Sequence, residues 1–464
     1  MSLSKIDLAN LAAAFDGGLD RFMVEWRELL AIKSISADPK YDSDCVACAA
    51  WLTHHLAKLG LSTELLETRT KPVVFAQYAP GYTKRSVLFY GHYDVQPVDP
   101  LELWHTPPFS PEFREGRIYA RGAQDNKGQL FSFLKALEVL IQAGAPICNV
   151  KVLLEGEEEC GSGGMRAALP EWLSKIAADL LMVCDTDMAA PGVPAVVMGL
   201  RGLVGCTVRL GGLKRDLHSG LHGGIAPNPA LEIAKLAAGL HREDGSVAVP
   251  GFYDGLLSPT AKELVWLEAL PFDPLRYKEE VGVNALGGEK GYAHKERLGF
   301  RPTLEVNGIH AGYDGPGLKT IIPANATLKL TARLAAGQEP QKTLDLILSH
   351  IRKHAPAYLQ LEFSDLEVAG PAVRCDPDGP GVRIARKVLQ EIFGVEPVFE
   401  WSGASIPVVA ELAGLMREGA LLVGFGQEDN NIHAPNENFS LDQFRNAFLY
   451  NALILQALEQ SNSE

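Results

Sequence analysis

Ser86-Val87-Leu88-Phe89-Tyr90-Gly91-His92-Tyr93-Asp94-Val95-Gln96-Pro97 opens with a short apolar run that reads as a buried strand, then breaks at Gly91 into polar residues. Successive side chains of a strand point to opposite faces, so His92 and Asp94 project to the same side if the extended form continues. That pairing suits a metal site. One imidazole nitrogen can bind an ion while the Asp94 carboxylate takes the other N–H and fixes the tautomer. By itself H-x-D is a common pattern, and a polar turn after a buried strand is the better account of it unless other residues converge on the same place.

Working outward, apolar strands are expected at 61–66, 73–78 and 87–90, and helices with apolar stripes at 19–32 (Phe22, Trp26, Leu29, Leu30) and 45–59. Residues 104–111, with three prolines, read as a loop. Asp125 precedes a helix over 128–143, a strand over 150–154 runs into Glu155-Gly156-Glu157-Glu158-Glu159, and one over 180–184 ends at Asp185. Three apolar strands thus deliver polar residues at their C-terminal ends, with helices between, and in open α/β sheets that edge is where ligands bind. After Gly199-Leu200-Arg201-Gly202 the character changes: 204–210 and 327–334 alternate as strands, 229–240 and 340–354 read as amphipathic helices, and 244–299 is a Gly- and Pro-rich connector. Alternating α/β character resumes with helices at 382–393, 406–415 and 441–458 and strands at 398–401 and 420–423. The expected architecture is an α/β domain, a mixed sheet with flanking helices, formed by 1–203 and 370–464 and interrupted by an inserted α+β domain at 204–369.

A chain of 464 residues exceeds a single compact core. Its net charge of −14 argues against nucleic acid or an anionic membrane as partner. No apolar run approaches the roughly 20 residues that span a bilayer, and residues 1–20 lack the apolar region of a signal peptide. Seven cysteines scattered through apolar segments read as reduced thiols of a cytoplasmic protein. Cys45-Val46-Ala47-Cys48 is formally C-x-x-C but lies in a helical run without a second pair, so two small side chains on a packed helix face account for it.

Further blocks follow the opening stretch: Gly122-Ala123-Gln124-Asp125-Asn126-Lys127-Gly128, Glu155 to Ser162, Cys184-Asp185-Thr186-Asp187, Asp216-Leu217-His218-Ser219-Gly220 and Asn431-Ile432-His433-Ala434-Pro435. In this order and spacing the set resembles the M20 metallopeptidases, and the segment 104–109 with the long insert resembles their cytosolic dipeptidase and carnosinase-like branch. The resemblance implies two divalent metal ions per subunit, zinc with manganese or cobalt as alternatives. It makes His92 and Asp185 ligands of one ion, Glu159 and His433 ligands of the other, and Asp125 the bridge. Glu158 matches the general base, and Asp94 joins it as a catalytic-site residue through His92. The run of glutamates leaves a register choice, which the following Gly161-Ser162-Gly163 resolves towards Glu158 and Glu159; counting back from Gly199 favours Asp185 over Asp187. Many relatives carry aspartate where this chain has Asn126, and relatives often hold the preceding peptide bond cis.

The resemblance also implies that the insert serves as lid and dimerisation domain of a homodimer. His218 would reach the partner's site to stabilise the oxyanion, while Arg333, Thr320 and Ser405 would hold the carboxylate end of a substrate. Arginine suits that task because its planar fork binds carboxylate bidentately. The activity implied is hydrolysis of dipeptides or similar short peptides by a cytoplasmic enzyme. An N-acyl amino-acid deacylase of the same family is the near alternative, and a catalytically silent binding protein the more distant one.

Overall fold

The computed structural model describes residues 5–461. They fall into two compact units: one is formed by the chain up to Met198 with Cys375–Glu400 and the chain from Glu411 on, the other by Gly199–Arg374 with Trp401–Ala410.

The first unit is built on a mixed sheet in the order Ser62–Leu66, Val73–Tyr78, Asn149–Glu155, Ser86–His92, Leu180–Val183, Ala420–Leu422, Ala195–Leu200. Ser86–His92 pairs in parallel with Asn149–Glu155 and with Leu180–Val183, which pairs in parallel with Ala420–Leu422. The outer pairings are antiparallel. The central strands are buried along nearly their whole length, which is why they appear in sequence as continuous apolar runs rather than as alternation. Helix Lys127–Gln142 packs on this sheet, with the Phe133 ring stacked 3.6 Å from that of Phe89.

Helices Leu8–Ala31 and Leu441–Gln460 pack against it through Phe15, Trp26, Phe131 and Phe444; the Trp26 and Phe444 rings lie 4.7 Å apart. The last helix opens with a capping box between Ser440 and Gln443. The first begins well before the expected residue 19, capped by Asp7. Gly17-Gly18 conceals this start by resembling a break. Gly18 is instead a packing residue, since a Cβ there would come 2.6 Å from the Phe22 ring.

In the second unit a four-stranded antiparallel sheet has the order Thr303–Ala311, Ala326–Leu334, Gly202–Gly211, Gln360–Gly370. Helices Pro229–Ala238 and Pro340–His354 bury Ile233, Leu236, Leu344, Ile347 and Ile351 against Val204, Val208, Leu328 and Leu330. The segment read as a connector at 244–299 contains helices Ala261–Ala269, Pro274–Val281 and His294–Phe300. They are short, and their cap residues Thr260 and Asp273 stand among the Gly and Pro residues that suggested loop. No helix among the described residues is long and apolar enough to cross a membrane.

Candidate metal centre

Because the central strands are parallel, their C-terminal ends share one edge, and the chemistry collects there. His92 is the last residue of its strand and lies in register with Glu155 on the neighbouring strand. Glu158–Cys160 form a single 3-10 turn just beyond that neighbour, and Asp185 follows the strand Leu180–Val183. Asp125 stands before helix Lys127–Gln142 and its bond to Asn126 is cis, as the resemblance led us to expect. His433 comes from the loop before strand Asn438–Ser440.

All five expected metal ligands meet. His92 Nε2 lies 3.1 Å from Asp125 Oδ1 and 3.6 Å from Asp185 Oδ2. His433 Nε2 lies 2.9 Å from Asp125 Oδ2 and 3.4 Å from Glu159 Oε2. Asp125 therefore stands between two imidazoles, one on each carboxylate oxygen, and each imidazole has a further carboxylate beside it. Ligand atoms of His92, Asp125 and Glu159 lie within 4.8 Å of one another. Imidazole with hard carboxylate oxygens is a donor set for zinc, manganese or cobalt.

The electrostatics agree. Burial, then Asp125, pushes the Glu159 carboxyl up to about 8, and burial pushes Asp185 up to about 7 with Asp125 adding to it. Burial opposes the charged form of His92, but Asp185, Asp125 and Asp94 together hold its pKa well above the ordinary imidazole value. Burial also opposes ionisation of Asp125, yet His433 and His92 hold its carboxyl low. Protein groups alone leave these acids in mutual conflict; divalent cations among them would relieve it.

Asp94 does more than orient His92. Its Oδ1 lies 3.3 Å from His92 Nδ1, a nitrogen also 3.1 Å from the Asp94 carbonyl oxygen. Its carboxylate also accepts the backbone N–H groups of Glu158 and Glu159, each at 3.2 Å, and the Ser36 hydroxyl at 2.6 Å. One buried carboxylate thus ties His92 to the glutamate turn. Glu157 is engaged elsewhere, accepting from Gly164 N at 2.7 Å and from the Thr70 hydroxyl. Glu158 makes no such anchoring contact. Burial, with Asp185, Glu159 and Glu155 adding, raises its carboxyl well above the usual range against the pull of His92. Asp187 sits beside Gln124 and forms a bridge with Gly426. The chain passes so closely here that a Cβ on Gly424 would fall 1.8 Å from the Thr186 carbonyl oxygen.

Three supporting residues had no assigned place in the sequence reading. Glu437 is fully buried and accepts four N–H groups: Arg121 Nη1 and Gly122 N on Oε2, both at 2.8 Å, and Gln124 N and Asp125 N on Oε1 at 3.0 and 3.1 Å. Asn126 donates to Asp185 Oδ1 at 2.7 Å and to the Cys184 carbonyl at 2.8 Å. Gln96 donates to Glu159 Oε2 at 2.6 Å. Their signal in sequence is only adjacency to ligands. A second convergence, Glu25, His55 and Glu138, is occupied by an amine: Lys135 Nζ lies 3.0 Å from His55 Nε2 and 2.7 Å from Glu138 Oε2 and also bonds Glu25.

The second unit carries the remaining expected residues in two places. Arg333 Nη1 donates to Ser405 Oγ at 2.7 Å. His218 pairs with Ile321 in a two-residue ladder, and Ser219 N donates to the Thr320 carbonyl at 2.9 Å. The exposed His218 ring accepts Gly220 N–H on Nδ1 at 3.0 Å, so the neutral ring carries its proton on Nε2, free to donate.

The profile of peptidase family M20/M25/M40 matches residues 88–457. The chain is 28% identical over 462 residues to Cys-Gly metallodipeptidase dug1 of Schizosaccharomyces pombe, covering 95% of this chain and 96% of that one. With the Beta-Ala-His dipeptidase of Homo sapiens it shares 26% identity over 444 residues, 91% of this chain and 87% of the other. Among solved structures, the M20 family metallo-carboxypeptidase Sso-CP2 of Sulfolobus solfataricus superposes with a TM-score of 0.86 at 30% identity, covering 95% of this chain and 99% of that one. On the matched span and the solved relative together, this chain belongs to peptidase family M20/M25/M40.

Proposed function

We propose that the chain hydrolyses the peptide bond of dipeptides or similar short peptides with the help of two divalent metal ions. The observation that carries this reading is the convergence of His92, Asp125, Glu159, Asp185 and His433, scattered over more than three hundred residues of sequence, on one sheet edge beside Glu158. His92 and Asp185 would hold one ion, Glu159 and His433 the other, and Asp125 both. Such ions, when bound, lower the pKa of water and polarise the scissile carbonyl. Glu158, free of the contacts that tie down Glu157, takes the proton of the attacking water and passes it to the leaving amine. Asp94 keeps the Nδ1 side of His92 engaged so that Nε2 faces the centre.

Arg333, steadied by Ser405, and Thr320 would hold the substrate's carboxylate, and the Nε2–H of His218 would serve the oxyanion. Their unit acts, in this reading, as the lid and dimerisation domain of a homodimer, with each His218 completing the partner's site; symmetric pairing makes both sites equivalent. Seven unpaired cysteines fit a reducing, cytoplasmic setting. The relatives named above are two dipeptidases and a carboxypeptidase by name, and an unmodified dipeptide ends in a carboxylate that an arginine can hold. A panel of dipeptides, C-terminally amidated dipeptides and N-acyl amino acids, assayed with zinc or manganese, tests the assignment. Turnover should favour dipeptides and collapse on amidation; preferential N-acyl cleavage would move the enzyme to the deacylases, and no turnover of any member would support a silent binding role.

A further inference from the structure

Arg201, in the Gly199-Leu200-Arg201-Gly202 segment that opens the second unit, has no part in the chemistry above. It directly precedes strand Gly202–Gly211, in which Leu203 lies opposite Arg333. Side chains two places apart in an extended chain share a face, so Arg201 and Arg333 rise from the same side of the sheet as diagonal neighbours. One segment receives both. Arg201 N donates to the Ala404 carbonyl and its Nε to the Gly403 carbonyl, each at 2.9 Å, while Arg333 Nη1 donates to Ser405 Oγ at 2.7 Å. Gly403 and Ser405 are two residues apart, a span of at most about 7 Å. Glycine permits the close approach, since a Cβ on Gly403 would meet Arg201 Nη2 at 3.1 Å.

Neither guanidinium is neutralised. Among the described residues no carboxylate pairs with Arg201 or Arg333, and Glu305 and Glu367, which attract them from a distance, are exposed. Both Nη groups of Arg201, and Nε and Nη2 of Arg333, have no acceptor in the protein. Both residues are half-buried, yet none of these nitrogens is shut off from solvent. Burial, with the Arg333 charge adding, pulls the Arg201 guanidinium down to about 10 against the attraction of Glu305. Two half-buried like charges held side by side, each with unused and accessible donors, form a site that an anion relieves. The planar fork of each arginine selects a carboxylate among anions of this size.

We propose that Arg201 and Arg333 together bind the substrate's terminal carboxylate, Arg201 through its two free Nη groups and Arg333 through Nε and Nη2. This rests on the reading of Arg333 given above and adds a second arm to it. The substrate class narrows accordingly to peptides with a free terminal carboxylate, because an amide in its place brings no charge and sets its own donor against theirs.

The test is equilibrium dialysis against the metal-loaded full chain, with a radiolabelled Ala-Gly analogue whose peptide carbonyl is reduced to CH₂, so that nothing can be hydrolysed, and with the C-terminal amide of the same analogue. The parent should prefer the acid by about a hundredfold or more. Arg201→Gln should weaken acid binding by about tenfold or more, the scale of one charge-assisted hydrogen bond, and leave amide binding within about twofold. Arg333→Gln should do the same. Arg201→Lys, which keeps the charge without the fork, should also lose acid binding selectively and carries the comparison if Arg201→Gln does not fold. A merely structural Arg201 would weaken acid and amide alike; that result, or unchanged acid binding in the Arg201 variants, overturns the proposal. Loss of the acid preference in Arg333→Gln alone removes Arg201 and leaves the reading of Arg333 standing, whereas a parent that binds acid no better than amide overturns both.

Discussion

Glu437→Gln is the sharpest test of how Asp125, the proposed bridging ligand, is held. The native carboxylate accepts four N–H donors, two on each oxygen, and glutamine keeps the shape but turns one oxygen into an NH₂ group. Whichever way the amide lies, two donors then face another donor. Arg121, 1% exposed, loses its counter-charge in either orientation; with the amide nitrogen at Oε2's place Arg121 and Gly122 N–H face a donor, and with it at Oε1's place the N–H groups of Gln124 and Asp125 are stranded. Breaking a buried ion pair by removing one partner costs about 3–5 kcal/mol, in keeping with two lost charge-assisted bonds at about 1.5–3 kcal/mol each. The apo variant should therefore unfold at lower urea by that amount. Because the lost bonds fix the backbone of Asp125, metal affinity should also fall by about 10–100-fold, as for other residues that orient metal ligands. Urea titration of the apo protein and chelator competition on the folded variant read the two effects separately. Unchanged metal affinity in a folded Glu437→Gln would refute the idea that this clamp sets the position of Asp125.

Glu158→Gln should retain both metals and lose kcat by about 10²-fold or more, whereas Glu157→Gln should mainly loosen the loop at Thr70 and Gly164; metal content with steady-state kinetics separates them, and the reverse pattern would put the base at Glu157. Co-expression of Glu158→Ala with His218→Ala, each nearly inactive as a homodimer, should restore substantial activity in purified hybrid dimers, because one site per hybrid then regains both residues; no recovery in confirmed hybrids would place His218 in its own chain's site. His55 supplies a pH prediction away from the metals. Burial and the Lys135 ammonium lower its pKa from 6.5 to about 4 against the opposing pull of Glu25 and Glu138. The unfolded chain therefore takes up this proton first, so the contribution is whole above pH 6.5 and is lost as pH falls towards 4, about 3 kcal/mol in all. Urea midpoints of His55→Gln should show a flatter pH dependence across that window than those of the parent, and parallel slopes would contradict the burial of a neutral imidazole there.

What could be read from sequence follows the physics of each element. Strands buried on both faces announce themselves as apolar runs, and a parallel arrangement puts their polar followers, His92, Glu158 and Asp185, onto one edge; which residues would bind metal and which would act as base came from the resemblance to the M20 metallopeptidases. Strands Thr303–Ala311 and Gln360–Gly370 were missed because they lie at the sheet's edges with many exposed positions, so period-two alternation is blurred. Glu437 escaped notice for another reason. Its partners Gly122, Gln124 and Asp125 lie more than three hundred residues away, and a single glutamate after His433-Ala434-Pro435-Asn436 carries no local sign of a buried clamp. Asn126 stood in view as a departure from the expected aspartate, yet only the fold shows its amide donating to Asp185, a bond an ionised aspartate could not supply.

In the proposed mechanism five side chains hold two ions, and hydrolysis depends on them. Metal analysis of the purified chain alongside dipeptide turnover, before and after chelation and for Asp125→Asn, tests it directly. Two ions per chain, activity abolished by chelator and restored by zinc or manganese, and weakened retention of both ions in Asp125→Asn are the predicted results. At most one ion per chain with full turnover after chelation would contradict it.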